Sequence, residues 1–284
     1  MPRLDEISAQ IASLNELREI LGAIRAMAAA QMQQSQRSLD AIRNYVAIVR
    51  DALVEASSLL SEPAASPAAT ASSHPGLVVF GAEHGFCGAF NEPLLAAVAS
   101  AVSAQPGLHL ICVGSRAAQR AAEHGIRFDL TLPMTTHVGG VGAVARRVAA
   151  ELYRGFAAGT LTALDAMYIR AAQAHQSAPR RLRLLPPEPL SPRQRPSPPP
   201  LVNVNPRQLR DEVGAEYMFA MLEACAMESF ASENAARFRT MQAAHENIER
   251  KSTALDRLAR GIRQEAITGE ILELIGGVAA TARA

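Results

Sequence analysis

The stretch "GAEHGFCGAFN", residues 81–91, places His84 three positions before Cys87 on a turn built from small residues. It follows the apolar run Gly76–Phe80 and precedes the helix-like run Asn91–Ala104. A nucleophile elbow needs Gly-x-nucleophile-x-Gly between a strand and a helix. Gly85-Phe86-Cys87-Gly88-Ala89 approaches that pattern, with alanine in the last place. His84 would act as the base if the backbone folded it back onto the thiol. The same residues also read as a plain tight turn, in which Gly85 and Gly88 let the chain reverse and Cys87 packs as a small hydrophobe. A triad further needs an orienting acid and an oxyanion hole, and the sequence assigns neither.

Other chemistries are poorly encoded. A phosphate-binding loop requires Gly-x4-Gly-Lys-Ser/Thr. Lys251, the only lysine, does precede Ser252, but "ENIERKS" contains no glycine and sits in a helical pattern. Val138-Gly-Gly-Val-Gly142 opens a helix without the Gly-x-Gly-x-x-Gly spacing of a dinucleotide site. Arg180, Arg181, Arg183, Arg193 and Arg195 could mark a nucleic-acid patch, but no aromatic residues interleave them and they read as a solvated loop. Cys87, Cys112 and Cys225 are odd in number and far apart, which argues against a disulfide framework or a zinc site. The net charge of +1 implies no field that seeks polyanions. No apolar run reaches the length of a membrane span, and the N-terminus has no apolar signal core. The expectation is a soluble, cytosol-facing protein with no metal, cofactor or nucleic-acid partner.

The elements that position the turn are read from composition and period. Hydrophobic residues make up 49% of the chain and aromatics only 4%, so alanine and leucine carry the apolar load and favour helix. Residues 1–62 read as one long helix, with no proline between Pro2 and Pro63. Leu39, Ile42, Val46, Val49, Leu53, Ala56 and Leu60 step by alternating three and four, the coiled-coil period. Leu4, Ile7, Ile11, Leu14, Leu17, Leu21 and Ile24 form a similar stripe with a small drift. Residues 206–284 form a second proline-free helix after Pro206, striped by Leu209, Val213, Ala220, Ala224, Met227 and Ala231, then by Met241, Ala244, Ile248, Leu255, Leu258 and Ile262. At 1.5 Å per residue the two would be about 85 and about 110 Å long. Neither stripe is buried alone, so the two are expected to pack as an antiparallel coiled coil.

Between them, residues 63–76 read as a proline-spaced linker, 77–178 as an α/β domain and 179–205 as a proline-rich connector. Leu77–Phe80, Leu108–Val113 and Leu164–Arg170 are predicted strands; Asn91–Ala104, Arg116–Glu123 and Val141–Ala158 are predicted helices. That alternation implies a mostly parallel sheet. The fold class is an α/β domain inserted between two long terminal helices.

Two C-terminal segments carry a resemblance. "SENAARFRTMQAAHENI" (232–248) and "RQEAITGEILELIGG" (263–277) resemble the C-terminal helix of the gamma subunit of F-type ATP synthases. Ser232, Glu233, Ala236, Arg237 and Met241 match one family pattern; Arg263, Gln264, Ile267, Thr268 and Glu270 match another. "IASLNELREILGAIRAMAAAQM" (11–32) is similar to the family's first helix, and the opening turn to its Gly-Leu-Cys-Gly turn.

The resemblance implies a central-stalk rotor with no catalytic residue. Its partners would be the alpha and beta subunits of the head, the epsilon subunit and the membrane ring of c subunits, and it would meet the membrane only through that ring. The location implied is the cytoplasmic face of the bacterial inner membrane, as a peripheral part of the complex. Arg263, Gln264 and Thr268 would contact loops of the beta subunit. Ile24 in place of methionine, Glu19 in place of lysine, Gly269 in place of glutamine and Glu83-His84 in place of Asp-Arg depart from the family pattern. They suggest a divergent branch, an alternative, sodium-type or ATP-hydrolysing version. Two other readings stand beside it: a cysteine-dependent α/β hydrolase, and a coiled-coil scaffold.

Overall fold

The computed structural model describes residues 2–60, 74–171, 177–186 and 201–281. Residues 61–73, which include most of the predicted 63–76 linker, and residues 187–200 of the predicted connector, with Arg193 and Arg195, lie outside the described residues. In chain order the elements are α1 (Pro2–Ser58), β1 (Pro75–Phe80), α2 (Asn91–Ala104), β2 (His109–Val113), α3 (Ser115–Glu123), β3 (Leu130–Leu132), α4 (Val141–Ala157), β4 (Ala163–Ala171), β5 (Ser177–Leu185) and α5 (Pro206–Thr281).

Proline opens both long helices, at Pro2 and Pro206, where a missing N–H costs nothing. Asn205 caps α5, its Oδ1 accepting the N–H of Arg207 at 2.9 Å. The chain divides into two compact units, Met1–Met27 with Phe238–Ala284, and Ala28–Arg237; α1 and α5 contribute to both.

In the larger unit a five-stranded sheet has the order β3-β2-β1-β4-β5. β1 pairs in parallel with β2 and β4, and β2 with β3, while β5 returns antiparallel to β4. The sheet is therefore mixed. β5 extends it past residue 178, so Arg180, Arg181 and Arg183 belong to an edge strand rather than a solvated loop. Arg181 donates to Asp165 on β4 through Nε at 2.7 Å and Nη2 at 2.6 Å, and Arg183 Nε donates to the other oxygen of the same buried carboxylate.

The central strands are apolar on both faces, as sandwiched parallel strands must be. One face packs Val78, Phe80, Ile111, Leu164 and Ala166 against α4, against α5 through Leu222, Met227 and Phe230, and against Leu39 of α1. The other packs Leu77, Val79, Leu110, Met167 and Ile169 against Leu94 and Val98 of α2.

Burial along α1 refines its stripe. Leu39, Val49, Leu53 and Ala56 are buried as the period requires. Nearer the N-terminus the predicted stripe is buried or half-buried at Leu4, Ile7, Ile11, Leu14, Leu21 and Ile24, and Arg18, Arg25 and Ala28 are covered as well. Leu17 is not in the seam and is 50% exposed. Arg18 and Arg25 are half-buried at the neighbouring steps, as long cations with apolar stems can be.

Val138-Gly-Gly-Val-Gly142 also has a packing explanation. A Cβ on Gly142 would stand 3.0 Å from Glu223 Oε1, so the glycine lets the first turn of α4 approach α5.

Candidate functional site

The strand order places β1 between β2 and β4, where chain progression reverses. In doubly wound sheets the crevice beyond the strand ends at such a point receives ligands. Here α5 reaches into it. Ser229 Oγ, on α5, donates to the carbonyl of Phe80, the last residue of β1, at 2.8 Å. The following turn, 81–90, is then held from three sides.

From α2, Asn91 Oδ1 accepts the N–H of Ala82 at 3.1 Å. Within the turn, the Glu83 carboxylate accepts from Ser115 N at 2.9 Å, Ser115 Oγ at 2.7 Å and Met134 N at 2.7 Å, tying together the ends of β1, β2 and β3, three of the four parallel strands. From α5, Glu233 accepts the N–H of Glu83 at 3.4 Å, and Arg237 donates to the carbonyls of Gly85 at 3.2 Å and His84 at 3.5 Å. Arg237 also pairs with Glu233 one turn back along its own helix and donates to Asn234 Oδ1 at 3.1 Å. Glu233 is only 3% exposed, and burial pushes its carboxyl up against the pull of Arg237.

The sheet end beneath the turn is tight. Gly114 sits at φ 132°, and a Cβ there would meet the carbonyl oxygen of Gly81 at 2.6 Å.

The turn itself answers the question of Cys87. Its thiol is 5% exposed and donates to the backbone carbonyl of His84 at 3.6 Å, not to the imidazole. Burial pushes its pKa up, and the Glu233 carboxylate adds to the shift. A reactive cysteine needs the opposite environment, one that stabilises the thiolate. Cys87 is a packing residue of the core formed with Phe90, Leu94 and Ala236. Cys112, pushed to about 12, and Cys225, pushed higher still, are buried likewise.

The backbone reversal is carried by Gly88 at φ 58° and by Phe86 at φ 62°; Gly85 is not in the left-handed region. Phe86 holds that strained conformation with its ring 65% exposed.

The two halves of the C-terminal pattern separate. Ser232, Glu233, Arg237 and Met241 are buried or nearly so, and the first three belong to the unit that holds the turn. Arg263, Gln264, Ile267, Thr268 and Glu270 are exposed on the last third of α5. Thr268 Oγ donates to the carbonyl of Gln264 at 2.9 Å. In that unit Arg25 Nη1 donates to Gln242 Oε1 at 2.8 Å. Sequence reasoning missed Glu83 as the tie between strand ends; only its departure from the family pattern drew notice. It also missed Ser229 and Asn91, ordinary helix residues whose partners lie across the fold.

Comparison with known proteins places the chain. The ATP synthase family model matches residues 3–281. Among curated relatives, the ATP synthase gamma chain of Heliobacterium modesticaldum is 26% identical over 296 residues, spanning 99% of each chain. That of Ruminococcus albus is 24% identical over 279 residues, spanning 96% of this chain and 97% of the relative. Among solved structures, the fold is similar to a chain of the Euglena gracilis mitochondrial ATP synthase rotor, with TM-score 0.63, 14% identity, and coverage of 94% of this chain and 99% of that one. A chain of the Tetrahymena thermophila mitochondrial ATP synthase central stalk and c-ring gives TM-score 0.59 and 19% identity, covering 79% of this chain and 99% of that one. With a family match running nearly end to end and relatives of equal length, the chain belongs to the ATP synthase family, on its gamma-chain branch.

Proposed function

We propose that this chain is the central-stalk rotor subunit of an F-type ATP synthase, coupling ion flow through a membrane ring to ATP synthesis or hydrolysis in the head. It holds no catalytic residue of its own. The supporting observation is the presence of two long helices, of 57 and 76 residues, that leave large apolar side chains exposed. Leu17, Ile20 and Met27 on α1, and Ile267, Ile271, Leu272 and Ile275 on α5, are half or more exposed. Exposed apolar residues in that concentration mark a protein partner.

In this reading α1 and α5 wind as an antiparallel coiled coil, the shaft. Buried positions at three-four spacing support it, as do Arg25–Gln242 in the smaller unit and Arg43–Glu228, at 2.6 Å, with Tyr45–Glu216, at 2.5 Å, in the larger. The exposed ends turn inside a ring of alpha and beta subunits, where Arg263, Gln264 and Thr268 meet beta-subunit loops. The α/β unit lies beside the epsilon subunit and the c ring at the cytoplasmic face of the inner membrane. In this reading attachment to the membrane runs through the ring; no helix among the described residues is long and apolar enough to cross a membrane. A rotor works by contacting each partner conformation differently, since equal contact shifts no equilibrium.

Co-expression with the alpha and beta chains of the same organism tests the proposal. Recovery of a large complex with ATPase activity is expected. Isolation of the chain as a free homodimer that never enters such a complex would overturn it.

A further inference from the structure

The arginine run that the rotor reading leaves unused lies on β5, the edge strand of the sheet among the described residues. β4 and β5 carry Arg170, Arg180, Arg181 and Arg183. Two carboxylates face them. Asp165, 5% exposed, takes both Arg181 and Arg183. Glu228 lies 3.8 Å from Arg170 but is held more closely by Arg43, at 2.6 Å. Arg180 makes no ion pair among the described residues and stands opposite Tyr168, diagonal to Arg170. The strand pair therefore has surplus positive charge on both faces.

That surplus is oriented. Asp165 fixes Arg181 and Arg183, two residues apart on one face, with side chains 38% and 47% exposed. Among the described residues Arg183 bonds only through Nε, to Asp165, and its terminal nitrogens have no acceptor there to compete with a partner's carboxylate. Arg180 projects from the opposite face. β5 ends the sheet, so its outer row of backbone N–H and C=O groups has no strand beyond it among the described residues. A second copy pairing there would set arginine against arginine, which cross-strand repulsion opposes.

We propose that the β5 edge is a docking strand for an extended acidic segment of a partner chain, which adds to the sheet and sets carboxylates against Arg180, Arg181 and Arg183. Main-chain bonds supply the adhesion and the arginines select the sequence. The segment recognised carries acidic residues at three of four consecutive positions, matching arginines on both faces. This goes beyond the rotor reading and stands independently of it.

Fluorescence anisotropy on the full-length chain tests it with three labelled eight-residue peptides: a Glu/Val/Thr strand peptide with acids in that pattern, the same peptide with lysine for glutamate, and the acidic peptide N-methylated at alternate amides. The acidic peptide alone should bind, more weakly as salt rises. Arg180→Glu breaks no observed ion pair and should weaken binding about fivefold, the equivalent of about 1 kcal/mol. Equal binding of the N-methylated peptide would reduce the effect to charge alone and overturn strand addition. No binding by the native chain, or an unchanged affinity in Arg180→Glu, would overturn the proposal. A benzoylphenylalanine placed at position 180 in cells should cross-link to an acid-rich segment of another chain. Cross-links confined to this chain's own residues 187–200 would overturn it.

Discussion

Arg237 donates to the carbonyl of Gly85, 152 residues earlier in the chain, at 3.2 Å, while pairing with buried Glu233 on its own helix. One side chain thus fastens the α5 helix to the turn that follows β1. Glu233 and Arg237, which the sequence reading placed in the shaft pattern of the C-terminal helix, are an internal clamp. In a rotor, torque applied to a helix must reach the domain attached to it without slippage, and a buried pair bonded to backbone carbonyls is a stiff connection.

Arg237→Ala should therefore be costly. It leaves a carboxylate at 3% exposure without its cation, a loss of about 3–5 kcal/mol for a broken buried pair. Adding Glu233→Gln should recover part of that loss, because the orphaned group is then neutral. Urea unfolding followed by circular dichroism measures both. Simple additivity of the two single losses would show that the residues do not act as a pair.

Phe86 permits a test of strain. It occupies φ 62° with its ring mostly in solvent, so the folded state gains little packing from it. Phe86→Ala and Phe86→Gly both remove the ring, but only glycine removes the left-handed penalty. The glycine variant should be the more stable by about 1 kcal/mol in urea midpoints. Equal midpoints would mean that the turn relaxes to another conformation.

Much of this fold is written locally. α2 spans the Asn91–Ala104 run that its pattern predicts, because proline and glycine bound it and its apolar positions repeat at 3.6. β5 was illegible for a physical reason. Pro179 and three arginines are what an edge strand tolerates and a central one does not, so the segment reads as loop. One position of the α1 stripe was misread for a related reason: Leu17 is more apolar than Arg18, but burial follows the three-four period, which selects Arg18. The candidate site was half legible. Glu233 and Arg237 were recognisable as a pattern, yet their partners on residues 83–85 lie about 150 positions away, and nothing local encodes that contact.

Glu223 gives a pH dependence. Partial burial raises its pKa above the ordinary 4.5; Arg146 opposes the shift and Glu216 reinforces it. A carboxyl with a raised folded pKa binds protons more readily when folded. Its contribution to stability is complete below 4.5 and is lost as pH rises through the raised value. Glu223→Gln has no such loss, so its stability relative to the native chain should increase between pH 4 and pH 7. A constant difference across that range would remove Glu223 as the titrating group.

The exposed end of α5 separates contact residues by their free donors. Thr268 uses its hydroxyl hydrogen on the carbonyl of Gln264, four residues back, and has only acceptor capacity left. Arg263 is exposed with a planar fork of donors suited to a carboxylate. If both face beta-subunit loops, the loss on truncation should be unequal. Arg263→Ala should slow ATP hydrolysis by the reconstituted complex about tenfold, corresponding to about 1.4 kcal/mol, while Thr268→Val should change it less than about twofold, within the range of a surface substitution. Alanine is a good helix former, so circular dichroism of the free chain should be unaltered in the Arg263 variant. Equal turnover in Arg263→Ala and native complexes would show that α5 presents this arginine to solvent rather than to a partner.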